Sequence, residues 1–264
     1  MLAVIAGQGA LPGLVHDARP DAAIYAMEGS APDVAGPVQK FRIEQLGTLF
    51  LELSGLGVTQ VCFAGAVHRP VLDPSAIDAA TLPLASQIQS ALSKGDDATL
   101  SAAIAMFEDA GFQVVAAQEL RPDLCPGEGL LTRAVPSEND RKDAARAADL
   151  ISAIDEQDFG QGCVVASGHV LAVEAFGGTD WMLQSLAGNR PAHWPAGGLL
   201  FKAAKPGQDR RIDLPAIGPG SVVAANAAGL AGIVVEAGSV LVLDQEAMIE
   251  AADAAGIFIW VRGS

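Results

Sequence analysis

The chain has 264 residues, 50% of them hydrophobic but only 5% aromatic, and 31 acidic residues against 16 Lys and Arg give a net charge of −15. That length suits one large domain or, more comfortably, two of ordinary size, and a core dominated by Ala, Val, Leu and Ile suits close-packed α/β layers. The charge repels phosphate backbones and anionic bilayers, which excludes nucleic acid as a general partner, leaves at most peripheral membrane contact, and requires a local positive site for any anionic ligand.

Taken in chain order, "MLAVIAGQGALPGLVHDA" predicts a buried strand, a glycine turn and a helix start. "AAIYAM" is a second short strand, and "IEQLGTLFLELSGLG" has helical periodicity that ends at glycine. "TQVCFAGAV" is a third strand, followed by the loop "HRPVLDP", helical patterns at residues 86–93 and 97–110, and a further strand in "FQVVAAQEL". Strands alternating with helices imply a parallel sheet with right-handed crossovers, so residues 1–128 read as a Rossmann-like domain. Pro, Gly and charge then cluster in "RPDLCPGEGLLTRAVPSEND", with residues 129–140 as the connection.

The second domain, residues 141–264, opens with a helix over 141–154, then "GCVVASGHVLAVEAF" as two strands turning at Ser167-Gly168. "GTDWMLQSLAG" is a helix, "GGLLFKAA" a strand and "GPGSVVAANAAGLAG" a helix. "IVVEAGSVLVLD" is a strand pair, "QEAMIEAADAAG" a helix and "IFIWVR" a last strand. An antiparallel first pair predicts a mixed sheet. Cys62, Cys125 and Cys163 lack metal or disulfide spacing and read as thiols of a reducing cytoplasm. No stretch approaches the roughly 20 apolar residues that span a bilayer, so a cytoplasmic chain is expected.

Chemistry collects in four places. "GQGALPG", residues 7–13, follows the first strand, where α/β sheets bind ligands, and its glycines would let backbone amides approach a phosphate at a helix start. It is not GxGxxG, because Pro12 stands where the last glycine would be. "FAGAVHRP" brings Gly65, His68 and Arg69 to the end of the third strand, at the same sheet edge. "AVEAFGGTD" places Glu174 on a strand and Asp180 at a helix start, where capping is its alternative role. "KAAKPGQDRRIDLP" gathers the scarce cations Lys202, Lys205, Arg210 and Arg211 around Asp209 and Asp213. Carboxylates beside Lys and Arg suit a magnesium-bound phosphoryl group, whose growing charge the cations would neutralise. His16, His68, His169 and His193 form no metal-ligand spacing. These motifs alone also leave open a Rossmann-type oxidoreductase, another nucleotide-sugar modifying enzyme, or a non-catalytic nucleotide-lipid binding module.

"LAVIAGQGALP", "FAGAVHRP", "KGDDATL", "AGFQVV", "GEGLLTRAVPSEND", "VLAVEAFGGTD", "KAAKPGQDRRIDLPAIGP" and "AGLAGIVVEAG" resemble, in this order, the UDP-2,3-diacylglucosamine pyrophosphatase family of LpxI type. The resemblance runs along almost the whole chain, and the KPxQDxRxDLPxIG pattern at 205–218 is its most specific part. It implies a two-domain cytoplasmic enzyme of Gram-negative lipid A biosynthesis. Such an enzyme hydrolyses UDP-2,3-diacylglucosamine to UMP and 2,3-diacylglucosamine 1-phosphate (lipid X) with a divalent metal, usually magnesium. Water is taken to attack the phosphorus on the sugar side.

The resemblance carries substrate contact to Gly9, Ala10, Leu11 and Pro12, to Gly65, His68 and Arg69, and to Thr132, Thr179, Lys205 and Gln208. Asp180 and Asp209, with Glu174, are the expected metal ligands; Lys202 and Arg211 are expected to hold the diphosphate, and Asp213 to orient water. The expected site lies between the halves, with an apolar acyl groove near Trp181, Met182 and Trp194, and a homodimer is compatible with this reading. One departure from the resemblance stands out, a Gly177 where many relatives have Glu; the helix containing Ala224 and Ala225 is also free of acids, a gap if the reaction draws a carboxylate from it.

Overall fold

Strands whose residues are apolar on both faces must be covered on both faces, and several strands of this chain are such runs. A computed structural model describes residues 1–67, 69–154, 160–205 and 208–263. The chain separates into two units, Met1–Pro122 with Asp209–Asp213, and Asp123–Gln208 with Leu214–Ser264.

The first unit runs β1 (Leu2–Ala6), α1 (Leu11–Ala18), β2 (Ala23–Met27), β3 (Gln39–Phe41), α2 (Leu46–Gly55), β4 (Gln60–Ala64), α3 (Ala85–Leu92), α4 (Asp96–Asp109), β5 (Gln113–Val114) and α5 (Ala117–Leu120). Its sheet has the order β3-β2-β1-β4-β5, and every pair is parallel. All five residues of β1 are buried, as its apolar sequence requires. The strand order reverses direction between β1 and β4, which makes their carboxyl ends a topological switch point. Phe107 ties α4 to α2 and to the sheet through edge-on contacts with Phe50 of α2 at 4.8 Å and Phe63 of β4 at 5.1 Å. The expected strand in "FQVVAAQEL" stops after two residues. Its remainder coils into α5, where the Glu119 carboxylate accepts from the Ala116 amide at 3.1 Å.

The second unit runs β6 (Gly129–Leu130), α6 (Glu138–Ile154), β7 (Gly162–Ala166), β8 (His169–Val173), α7 (Gly178–Asn189), β9 (Leu199–Lys202), β10 (Ala216–Ile217), α8 (Pro219–Ala227), β11 (Gly232–Glu236), β12 (Leu241–Val242), α9 (Gln245–Ala255) and β13 (Phe258–Arg262). The main sheet is mixed, in the order β6-β13-β11-β9-β7-β8. Strands β9, β11 and β13 are parallel, whereas β6, β7 and β8 run antiparallel to their neighbours. This is the expected α/β architecture with a mixed second sheet. The pair read in "IVVEAGSVLVLD" does form two strands, but β12 pairs with β10 in a separate two-stranded sheet. The stretch read as a connection contains β6, which closes one edge of the main sheet, and Leu131 packs on that unit's core. Among the described residues no helix is long and apolar enough to cross a membrane.

The β7–β8 turn shows how a polar side chain organises the second unit. Ser167 and Gly168 both have positive φ, at 50° and 77°, which suits a tight hairpin turn. Their amides donate to Asp143 of α6 at 2.7 and 2.6 Å, although Asp143 is only 3% exposed. The carboxylate thereby ties helix to hairpin. Replacing Asp143 by Ala removes a charged acceptor from two amides, a loss of about 1–3 kcal/mol. The expected outcome is a melting temperature lowered by roughly 4–8 °C for Asp143→Ala and by less for Asp143→Asn; an unchanged melting curve for Asp143→Ala would show that the clamp contributes nothing.

Candidate functional site

At the switch point of the first unit, two loops meet backbone to backbone. Gly7 donates to the Ala64 carbonyl at 2.7 Å, Gln8 to Ala66 at 2.7 Å, and Ala66 returns a bond to Gln8 at 3.0 Å. Glycine is required on both sides. A Cβ on Gly7 would stand 2.4 Å from the Ala66 oxygen, and one on Gly65, whose φ is +90°, would stand 2.5 Å from the Gln8 oxygen. Gly9 also has positive φ, but space around it is open, and Gly9 and Ala10 are exposed at the start of α1. Leu11 is half-buried and Pro12 buried at the first turn, where a missing N–H costs nothing. Arg69 is exposed and donates to the Leu92 carbonyl at 3.3 Å; His68 lies outside the described residues.

The same unit includes residues 209–213 of the basic loop. Arg211 donates from Nε and Nη2 to Asp209, the latter at 2.7 Å, and from Nη1 to Glu108 at 2.6 Å. The backbone amide of Arg211 adds a bond to Asp209 at 2.9 Å. Asp209 and Glu108 drive the guanidinium pKa up, and the hydrogen bonds from Arg211 hold the Asp209 carboxyl below the usual carboxylate value. Gln118 secures the loop from another side by donating to the Arg210 carbonyl at 2.9 Å. Glu108 was not foreseen from sequence, since it is one more acid on a mixed helix, and its partner lies 103 positions away.

In the second unit, the buried Lys202 ammonium at the end of β9 lies 4.0 Å from the Glu174 carboxylate. Glu174 Oε2 is buried and finds no hydrogen-bond donor among the described residues. The chain is shaped around this group: a Cβ on Gly160 would stand 2.4 Å from Glu174 Cγ, and one on Gly162 would stand 2.8 Å from Oε2. Gln208 accepts from Gln161 at 2.6 Å and from the Lys205 amide at 3.2 Å, which anchors the near side of the basic loop. Pro206 and Gly207 lie outside the described residues.

Asp180 is exposed in the first turn of α7, while Gly177 occupies the cap position and no described side chain caps it. Capping therefore does not account for Asp180, although a carboxylate there complements the helix dipole. Thr179 beside it is half-buried. The Thr132 hydroxyl is engaged by backbone, accepting from Ile259 at 2.9 Å and donating to Ala134 at 3.3 Å. Met182 is a core residue of the second unit, whereas Trp181 is 63% exposed.

Among the described residues no three His, Cys, Asp or Glu are gathered to hold a metal ion. Of the three carboxylates expected as ligands, Asp209 directs both oxygens at Arg211, and Asp180 is exposed. Glu174 has a buried oxygen without a donor. That suits magnesium, which takes one or two carboxylates and completes its shell with water and phosphate oxygens.

The first unit also holds an apolar cavity of about 140 Å³, with Ile5, Met27, Phe63, Ile88, Phe107 and Ile212 in its wall. Thr99 is its polar exception among the described residues, and that hydroxyl donates to backbone carbonyls, Ala91 at 2.8 Å and Gly95 at 3.0 Å.

Residues 1–124 match the model of the LpxI N-terminal domain, and residues 127–260 match that of the LpxI C-terminal domain. A relative from Caulobacter vibrioides, UDP-2,3-diacylglucosamine pyrophosphatase LpxI, is 41% identical over 221 residues, which cover 82% of this chain and 79% of the relative. Two domain models matched in sequence order over nearly every residue, with a relative of that identity and coverage, place the chain in a single lineage: it belongs to the LpxI family.

Proposed function

We propose that this chain hydrolyses the diphosphate of UDP-2,3-diacylglucosamine, releasing UMP and 2,3-diacylglucosamine 1-phosphate (lipid X) in a cytoplasmic step of lipid A biosynthesis. The relative's activity supports the substrate. The observation that carries the chemistry is the Arg211 guanidinium held between Asp209 and Glu108 in a chain of net charge −15. A cation oriented before the ligand arrives needs little reorganisation when phosphate charge develops. An incoming phosphate oxygen would take the place of the half-exposed Glu108 at Nη1, while Asp209 keeps the guanidinium plane fixed.

In the second unit, Lys202 and Glu174 form a buried pair with complementary roles. Glu174 Oε2, without a donor among the described residues, is suited to accept a proton from an attacking water, and Lys202 to offset negative charge on the phosphoryl group. Attack at the sugar-side phosphorus joins the water oxygen to that phosphorus and expels UMP, and the water proton passes to the carboxylate. A divalent cation, magnesium by its preference for oxygen ligands, would be held by the exposed Asp180, which leaves Glu174 for the proton, and would draw charge from the diphosphate.

The assay is UMP release from UDP-2,3-diacylglucosamine with magnesium and with chelator. Glu174→Gln should lose about a hundredfold or more in kcat, the order of effect when one electrostatic stabiliser is removed, and Asp209→Ala, which acts through Arg211, should lose no more than Arg211→Ala does. Arg211→Ala should lose about ten- to a hundredfold in kcat/KM. Near wild-type release by both carboxylate variants in saturating magnesium would refute the assignment.

The clamp also has a pH signature. A carboxyl whose folded pKa is depressed stabilises the fold fully above its unfolded value, about 3.9 for Asp, and loses that contribution as pH falls through the lower folded value. For Asp209 the depression comes from Arg211. The melting-temperature gap between the wild type and Asp209→Asn should therefore stay constant from pH 8 to pH 5 and close below about pH 4. A gap that varies across neutral pH would point to a different partner for Arg211.

A further inference from the structure

The last turn of α4 carries Glu108 and Asp109 and no basic residue. A helix C-terminus is the negative end of its dipole, so acids there cost stability unless a cation comes to them. The turn closes without the Glu108 side chain: Gly111 donates to the Glu108 carbonyl at 2.9 Å, and Phe112 to the Phe107 carbonyl at 3.1 Å. The Glu108 carboxylate instead takes Arg211 Nη1 at 2.6 Å. Arg211 already has a partner in Asp209, which takes Nε and Nη2. The segment has two further anchors, the Gln118 bond to the Arg210 carbonyl and the packing of Ile212 on the core of the first unit. Glu108 is thus not needed to build the segment, and it occupies the guanidinium nitrogen that Asp209 leaves. Its side chain is 44% exposed against 27% for Asp209, so water replaces Arg211 more readily at Glu108.

We propose that Glu108 is a resident competitor for the phosphate site: it occupies Arg211 Nη1 until a phosphate oxygen of the ligand displaces it, and it returns when the product leaves. The inference deepens the phosphate-binding role proposed above for Arg211 and rests on it. While Glu108 is bound, the guanidinium keeps the orientation that the phosphate needs, so little is left to order on exchange. The exchange also limits affinity, since a ligand gains at Nη1 only the excess of its own attraction over that of Glu108. Substrate and product are weakened together, which leaves the chemical step untouched and lets product depart sooner. Exposed ion pairs are weak, so the competition is worth roughly two- to fivefold in affinity. An acid at the unfavourable end of α4 then has its reason in ligand exchange.

The test reads binding rather than turnover. Calorimetric titration of the full-length protein with UDP should give a dissociation constant roughly two- to fivefold lower for Glu108→Gln than for the wild type. Uridine, which lacks the phosphates, should bind both alike. Asp109→Asn, which removes the neighbouring charge at the same helix end, should leave the UDP constant unchanged. In an Arg211→Ala background Glu108→Gln should have no effect on UDP binding, because the competitor then has nothing to compete for. The melting temperature of Glu108→Gln should not fall, since the variant loses an acid at the negative end of α4 along with the ion pair. A purely structural pair gives the opposite pattern, a lowered melting temperature with an unchanged UDP constant. That pattern, or a gain in UDP affinity that persists without Arg211, overturns the inference and leaves the role of Arg211 standing. UDP binding that is absent, or insensitive to Arg211→Ala, removes the phosphate site itself and the inference with it. An Arg211-dependent gain in a protein that releases no UMP from UDP-2,3-diacylglucosamine upholds the competitor and sinks the proposed activity instead.

Discussion

The Asp209–Arg211–Glu108 clamp is the constraint on which the candidate site depends. An acidic protein cannot attract a diphosphate by its overall field, so attraction must come from cations whose positions are fixed. An isolated surface ion pair would fix little. Here, however, one guanidinium makes bonds to two carboxylates from three of its nitrogens, two of them to the same Asp209. The trio carries a net negative charge, so a phosphate gains full access to Arg211 only by displacing a carboxylate. Of the two, Glu108 is the more exposed and the more easily resolvated. The clamp thus holds the cation in place.

Both units use glycine to bring structure closer than a Cβ would permit. In the first, Gly7 and Gly65 let the loops after β1 and β4 bond to each other, so that Gly9 and Ala10 project from a braced turn. In the second, Gly160 and Gly162 close around Glu174 and confine its carboxylate beside Lys202. A buried pair of this kind is weak evidence of stability, because desolvating two charges offsets much of their attraction. One carboxylate oxygen has no donor among the described residues, which makes the arrangement still less favourable as a purely structural device.

Much of the fold was legible because its signals are local. The apolar runs of β1, β4 and β7, the glycine-terminated α2 and the Ser167-Gly168 turn all announce themselves within a few residues. The three-residue β3 has no such signal, since its Gln-Lys-Phe is mostly exposed and it exists only by pairing with β2. Likewise, Leu130 becomes strand because Trp260 lies across from it. The site divides in the same way. The basic loop and the glycine turns stood out by composition, whereas Glu108, Asp143 and the packing of Ile212 depend on partners distant in sequence. No periodicity encodes such contacts.

The glycine at 177 and the acid-free helix around Ala225 also have physical reasons. Gly177 lies against the Trp181 ring, where even a Cβ would approach to 2.9 Å, so a glutamate there would require the indole to move. Ala225 is fully buried in the apolar cluster of the second unit, and Ala224 packs at its edge. A carboxylate at 225 would enter an apolar core without a partner, at a cost that would raise its pKa and neutralise it. Neither position, as this chain folds, can present an ionised acid cheaply. The acids left for chemistry in that unit are therefore those the fold already accommodates: Asp180 in water at a helix start, and Glu174, enclosed by glycines and facing Lys202. Only the second combines burial, a nearby cation and an unused acceptor, and this is why the proposed proton acceptor is placed at Glu174.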